Sequence, residues 1–430
     1  MKFFVFSFLF LFTLVFLNAC KKQEDTSPPV IVINSPLQGQ VYHVFDTIPV
    51  NVNVSDDKRL DPVAVTVLNS SGTAVMSAAV IHVNGRVAQI VFGYELSDLH
   101  LSSGTYSLKV SASDGVNVTN SFVHIQIQAA PYKRMGIYLI SRNTTSVIVS
   151  KLDTNYLISP VLVLNGDYSG SDISSYFQQL YVSGAYTGNF NAIDLKTRAI
   201  SWIKPVVPGS NPWFCGAFVS GTLVYAPFFN GAIKAFDTSG NQRFNLLTQS
   251  NYHPGKIFPT GNNILNEQIY VTNSSSKLVL NNGLTGFGIQ ELPLNQKVVQ
   301  FCQQDPDHVF IFGNNAGQGI ILLYTISANG TWSPKPLPVG IILSAAQVDP
   351  DTYLIALSDG IIYKYQYSVS SLTPFISGIA ASAIYYDGLK NEVLASCLKT
   401  LSVYDYASAS LKHTVLHTDT ILNFHLLNNK

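Results

Sequence analysis

An all-β chain in two parts, a β-sandwich followed by a seven-bladed β-propeller closed by its own C-terminal strand, is predicted by three features of the sequence. Residues 30–128 alternate apolar and polar side chains with a period of two. From Tyr132 onward a short motif, an apolar strand ending in a polar turn, recurs seven times at roughly 40–44 residues, the period of a four-stranded propeller blade. The last apolar run, Ile421–Leu427, is one strand too many for the seventh repeat, while the first repeat is one strand short.

In the first part the readable strands are 30–33, 48–54, 63–67, 87–92, 106–110 and 122–127. Turn chemistry separates them at Asn69–Gly72, Asn84-Gly85 and Ser113–Gly115. About seven strands in about 100 residues read as a sandwich over 30–129. Ala129-Ala130-Pro131 breaks the alternation, and the propeller takes 132–430.

In the second part the recurring strand ends are 149–153, 191–194, 234–237, 277–281, 322–325, 363–366 and 401–405. Seven of them predict seven blades. The first unit opens at Met135–Ile140, which aligns with a second strand. Ile421–Leu427 is therefore expected to supply its first strand and leave no edge at the seam.

The N-terminus reads as an address. Lys2 precedes an almost wholly apolar Phe3–Leu17, too short for a comfortable membrane span. Leu17-Asn18-Ala19-Cys20 resembles a bacterial lipobox, which implies a signal peptide over 1–19 and a lipidated, acylated Cys20 holding the protein to a membrane. Two or more acyl chains hold a protein stably where one does not. Residues 20–29 carry charges, Ser and two prolines, the composition of an extended tether. No Asp follows Cys20, and the charged stretch is similar to the export signal of surface lipoproteins in the Bacteroidetes. The expected place is the outer membrane, facing the cell surface or, alternatively, the periplasm.

Lys and Arg together equal Asp and Glu at 25 each, and only 12% of the 430 residues are charged. No global field draws nucleic acid, so no nucleic-acid partner is expected. Cys215, Cys302 and Cys397 are far apart in apolar runs and are expected to be free thiols.

Gly104–Gly115 resembles the late hairpin of bacterial immunoglobulin-like domains, without that family's core disulfide. Gly188–Trp202 resembles the repeat of pyrroloquinoline-quinone-type propellers: Ala192-Ile193-Asp194 ends a strand, Lys196-Thr197-Arg198 forms the turn, and Trp202 packs between blades. Arg198 stands where that family has Gly, and Gly231–Gly240 is a second, partial match. The resemblance implies fold and not chemistry. The quinone enzymes of that fold use bound calcium and an adjacent cysteine pair; no Cys-Cys occurs here, and no cofactor is expected. Ser55-Asp56-Asp57 reads as a solvated loop, and the nine histidines show no metal-ligand spacing, so no metal is expected. Ser327–Trp332 is similar to the aspartate box of sialidases, but Asn329 replaces the acid, and a hairpin turn is expected there.

No catalytic residues stand out. The loops between blades and between middle strands open on one mouth, and they carry aromatics and amides: Trp213, Phe229, Asn230, Tyr252, His253, Asn314, Asn315 and Asp359. Such residues suit a glycan, peptide or protein ligand. The alternative for Trp213 and Tyr252 is a wedge between blades. The expected function is non-enzymatic binding or scaffolding; the runner-up is a propeller-fold glycan lyase or hydrolase. An enzyme needs at least two titratable side chains within reach of one another in the funnel.

Overall fold

The computed structural model describes residues 26–430. The 1–19 signal, Cys20 and the first part of the tether lie outside the described residues. The fold divides into two units, with the boundary between Pro131 and Tyr132.

The first unit holds β1 (Val30–Ser35), β2 (Val41–His43), β3 (Thr47–Ser55), β4 (Val63–Leu68), β5 (Ala79–Ile81), β6 (Val87–Glu95), β7 (Gly104–Ser113) and β8 (Val118–Gln128). A three-stranded sheet runs β1-β3-β6 and a five-stranded sheet β2-β8-β7-β4-β5. The two sheets share one core because each alternating strand turns one row inward. Ile48, Val50, Val52 and Val54 from β3 meet Val63, Val65 and Val67 from β4 there, all nearly or fully buried. Each such side chain contributes about 1.5–3 kcal/mol of burial. The alternation did not reveal β2 and β5, since three residues are too few to show a period.

The second unit is a ring of seven four-stranded antiparallel sheets. In blade 1 the order is Thr420–Asn428, Arg134–Arg142, Ser146–Leu152, Ile158–Asn165. The surplus C-terminal strand is thus the first strand of the first blade, with Phe424 opposite Leu139 and Leu426 opposite Ile137. Blades 2 to 7 open with the inner strands Gly170–Ser174, Phe218–Ser220, Tyr252–Thr260, Lys297–Gln303, Ile342–Gln347 and Ala383–Asp387. Each inner strand touches the next, and the last returns to Thr420–Asn428. All seven recurring motifs fall on the third strand of a blade or at its end.

The turn after each third strand explains why the motif repeats. Each holds one residue in the left-handed region: Tyr156, Arg198, Gly240, Gly286, Asn329, Ser370 and Ala409. Arg198 takes that conformation (φ 60°) at the position where Gly was expected, and Asn329 (φ 46°) confirms the hairpin at Ser327–Trp332. The Asp194 and Asp237 carboxylates pin two of these turns by accepting backbone N–H groups. Trp202 packs onto blade 3, its Nε1 donating to the Thr238 carbonyl at 3.0 Å.

The core of the ring is seven apolar clusters, one between each pair of neighbouring blades. The seam also carries a buried ionic latch. Arg134 lies 2.7 Å from Asp387 and 2.8 Å from Glu392 of blade 7, and Lys412 meets the other Glu392 oxygen at 2.7 Å. Removing one member of such a group leaves a buried charge unanswered, at a cost of about 3–5 kcal/mol. Cys215, Cys302 and Cys397 are free thiols.

Candidate functional site

The seven inner strands enclose a channel of about 960 Å³. The inner strands line it with runs of consecutive residues, 253–258 and 297–303 among them, so residues remote in sequence share one wall.

On blade 2, Asp172 accepts the Val219 N–H at 2.7 Å and the Ile173 N–H at 2.8 Å. Burial pushes its carboxyl up to about 6, against the pull of those donors and of Lys256. Beside it, His425 on the C-terminal strand faces Ser171 Oγ at 2.8 Å through Nε2, with Nδ1 3.9 Å from Asp172. Burial holds His425 down to about 4, so the ring is neutral at pH 7. Tyr168 completes the group, its hydroxyl 2.8 Å from Ser171 Oγ.

On blade 4, Glu267 lies under the inner strand. Its carboxylate accepts the Lys256 N–H at 3.2 Å and, across the blade boundary, the Val298 N–H at 2.9 Å. Gly255 makes this possible: a Cβ there would stand 2.2 Å from the Glu267 oxygen. Burial raises the Glu267 pKa. The Lys256 ammonium reaches into the channel 5.8 Å from the centre of the Phe218 ring, and burial lowers its pKa. Lys297, on the first residue of blade 5's inner strand, is exposed at the mouth. Cys215 and Cys302 lie in the same wall, and burial pushes both thiols up to about 12, which leaves them poor nucleophiles.

At the mouth the structure brings five of the eight sequence-predicted residues together. Phe229 stacks on His253 at 4.5 Å and 24° between planes. The Phe229 N–H donates to the Trp213 carbonyl at 3.1 Å. Asn230 follows, exposed, at the tip of the same turn. Tyr252 adjoins His253, packs edge-on against Tyr270 at 5.1 Å and lies 4.5 Å from the Lys277 ammonium. Trp213 is half-buried between blades 2 and 3, edge-on to Phe228 at 5.7 Å, which is the wedge arrangement. His253 also lines the channel, so it joins the aromatic group to the charged wall.

The other three are elsewhere on the ring. Asn314 clamps blade 5 to blade 6: its amide nitrogen donates to the Ile342 carbonyl at 2.9 Å and its oxygen accepts the Ile342 N–H at 2.7 Å. Asn315 is exposed in the adjoining turn. Asp359 shapes its own turn, accepting from the Ile361 N–H at 2.9 Å and the Tyr363 hydroxyl at 3.0 Å. Sequence reading did not find Asp172, Lys256, Glu267, Lys297 or His425. They form no motif, because the ring and not the chain makes them neighbours. Among the described residues no group of three or more His, Cys, Asp or Glu is placed to hold a metal ion.

The sequence matches no family model and no curated protein. Its fold is similar to the computationally designed Ika8 protein, at 12% identity and TM-score 0.47, covering 67% of this chain and 89% of that one. It is similar to hydrazine synthase of Kuenenia stuttgartiensis at 12% identity and TM-score 0.47, covering 66% and 95%. The Cps50 (Swd1) β-propeller domain of Myceliophteria thermophila is similar at 10% identity and TM-score 0.47, covering 60% and 89%. Likenesses at this level carry nothing about chemistry, and the ring is established by its own strand pairing.

Proposed function

We propose that this chain is a lipid-anchored binding protein of the outer membrane, displayed at the cell surface, whose propeller takes a glycan, peptide or protein ligand at its mouth. The observation that carries the reading is the Phe229–His253 stack beside exposed Asn230: an aromatic face, amide donors and an open channel in one place. The Leu17–Cys20 box and the charged tether support the anchor and the address. The sandwich serves as the spacer. Three strands opposite five, with the Tyr106 hydroxyl donating to the Ser102 carbonyl at 3.0 Å at the start of β7, support its immunoglobulin-like reading.

The test is an array of glycans and peptides probed with the full chain and with Phe229→Ala and His253→Ala. Losing a stacked ring should weaken binding about 3- to 10-fold. A ligand set indifferent to both variants overturns the site. The anchor is tested separately: Cys20→Ala should abolish labelling by a radioactive fatty acid, and labelling that persists overturns it.

A propeller-fold glycan lyase or hydrolase remains the second reading, favoured by Asp172 and His425 lying 3.9 Å apart in the channel. Against it, the carboxylates of Asp172 and Glu267 accept backbone N–H groups, and His425 Nε2 faces Ser171. New reducing ends or unsaturated uronates from an incubated polysaccharide would favour the enzyme.

A further inference from the structure

The charges of the channel wall are answered unequally. Asp172 and Glu267 each accept two backbone N–H groups, so their oxygens are engaged. Lys256 and Lys297 are not answered in that way: among the described residues neither ammonium has a hydrogen-bond acceptor. Lys256 has the Phe218 ring and the more distant fields of Glu267 and Asp172, and the like charge of Lys297 works against it. An ammonium set into a wall without an acceptor is costly. The space in front of it holds about 960 Å³, the size of a small-molecule site. Phe218 and Phe258 give that space an apolar side, while Gln300, Gln347, Asn423 and Tyr385 give it amides and a hydroxyl.

We infer that the channel is a binding site for a small, hydroxyl-rich carboxylate such as an acidic sugar, with the carboxylate on the Lys256 ammonium and Lys297 guiding it in at the mouth. One point charge deep in the wall matches one carboxylate. A doubly charged oxyanion is more often held by the fork of an arginine, and the channel lining has none. The amides and the tyrosine suit hydroxyl groups, and Phe218 suits the C–H face of a sugar ring. The site rests on Lys256 and not on the Phe229–His253 stack proposed for the mouth: Phe229 is not part of the channel wall, although its partner His253 borders both.

The experiment is calorimetric titration of the full chain in detergent with D-glucuronate, D-galacturonate and N-acetylneuraminate, each beside an uncharged counterpart (glucuronamide for glucuronate). At least one acid should bind saturably, and its uncharged counterpart should bind about tenfold or more weakly. Lys256→Met should weaken the acid by at least about tenfold while the chain stays folded by its thermal melt. Lys297→Met, an exposed change, provides a second reading and should weaken it by a smaller factor. Leu284→Ala, an exposed change in an outer turn of blade 4, should leave it unchanged. No saturable binding by any acid, equal binding of the uncharged counterparts, an unaffected Lys256→Met, or equal competition by inorganic sulfate overturns the inference.

Discussion

Between blades 5 and 6 twelve buried side chains meet, among them Phe310, Phe312, Tyr353 and Tyr365. Between blades 3 and 4 the buried cluster is four: Ile233, Leu246, Ile257 and Ile264. Of the two blades beside the small cluster, blade 4 carries polar side chains in its interior instead. Blade 4 buries Asn266, Glu267, Gln268 and Asn281, with the Asn266 amide donating to Asn281 within hydrogen-bond distance. Lys256, Glu267 and His253 of the channel belong to that blade. The ring therefore puts its largest apolar cluster on the arc of blades 5 and 6 and its smallest on the arc of blades 3 and 4, where Lys256 and Glu267 lie; buried charge also sits in the seam latch and at Asp172. Fold-holding and ligand-holding residues draw on the same inner strands, so an arc that spends them on charge has fewer left for packing.

The largest effect should come from the strand that serves both arcs by closing the circle. Truncation after Asp419 removes Thr420–Asn428, strips the partner from Arg134–Arg142, and uncovers the clusters on both sides of blade 1. We expect limited proteolysis to degrade the truncated propeller while a 30–128 fragment persists. An unchanged digestion pattern and melt would show that closure is not what holds the ring.

The next effect measures the contrast itself. Phe312→Ala in the aromatic interface should cost about 3–5 kcal/mol, and Ile257→Ala in the small cluster about 2 kcal/mol, at the low end for such a truncation. Chemical denaturation of both variants reads the difference. Equal losses would erase the distinction between the arcs.

How much of this was legible in the sequence follows from the same contrast. The third strands were legible because each ends in a turn that takes one left-handed residue, such as Arg198 or Gly240, and in several an Asp holds the turn's N–H groups, as Asp194 and Asp237 do. The surplus strand was legible because Ile421, Phe424 and Leu427 are too apolar for a solvated tail, and all three are buried. The aromatic mouth was partly legible, since Phe229-Asn230 and Tyr252-His253 are conspicuous in loops. The charged wall was not. Ser171 and His425 are 254 positions apart, and Lys256 lies in a strand that reads as an ordinary short apolar run broken by prolines and glycine.

A smaller effect depends on pH. Asp172 has a folded pKa of about 6, above its ordinary 3.8. The stability linked to it is therefore full below about 3.8 and is lost as pH rises through about 6. His425, at about 4 instead of 6.5, works the other way: its contribution is present above 6.5 and fades as pH falls toward 4. In the native protein the two oppose each other over that range. Asp172→Asn should leave the His425 trend alone, so that melting temperature falls more steeply on acidification and exceeds that of the native protein above pH 6. Parallel melting curves from pH 4 to 7 would contradict this account of the wall.

The smallest effect lies in the apolar arc. The Tyr365 hydroxyl is buried and has no hydrogen-bond partner among the described residues. Tyr365→Phe should be neutral or stabilise by about 1 kcal/mol in urea unfolding. A clear loss would mean that the interface uses this hydroxyl.

The central claim is that the charged arc is kept for a ligand at the expense of stability, and Lys256 tests it most directly. The measurement is the melting temperature of the native chain and of Lys256→Met, with and without the acidic sugar that binds in the titration. We predict that the variant melts higher than the native protein when no ligand is added, because an unanswered ammonium has left the wall. We also predict that the ligand raises the native melting temperature and leaves the variant's unmoved. A variant that melts lower without ligand, or that keeps the ligand-induced rise, would contradict the claim.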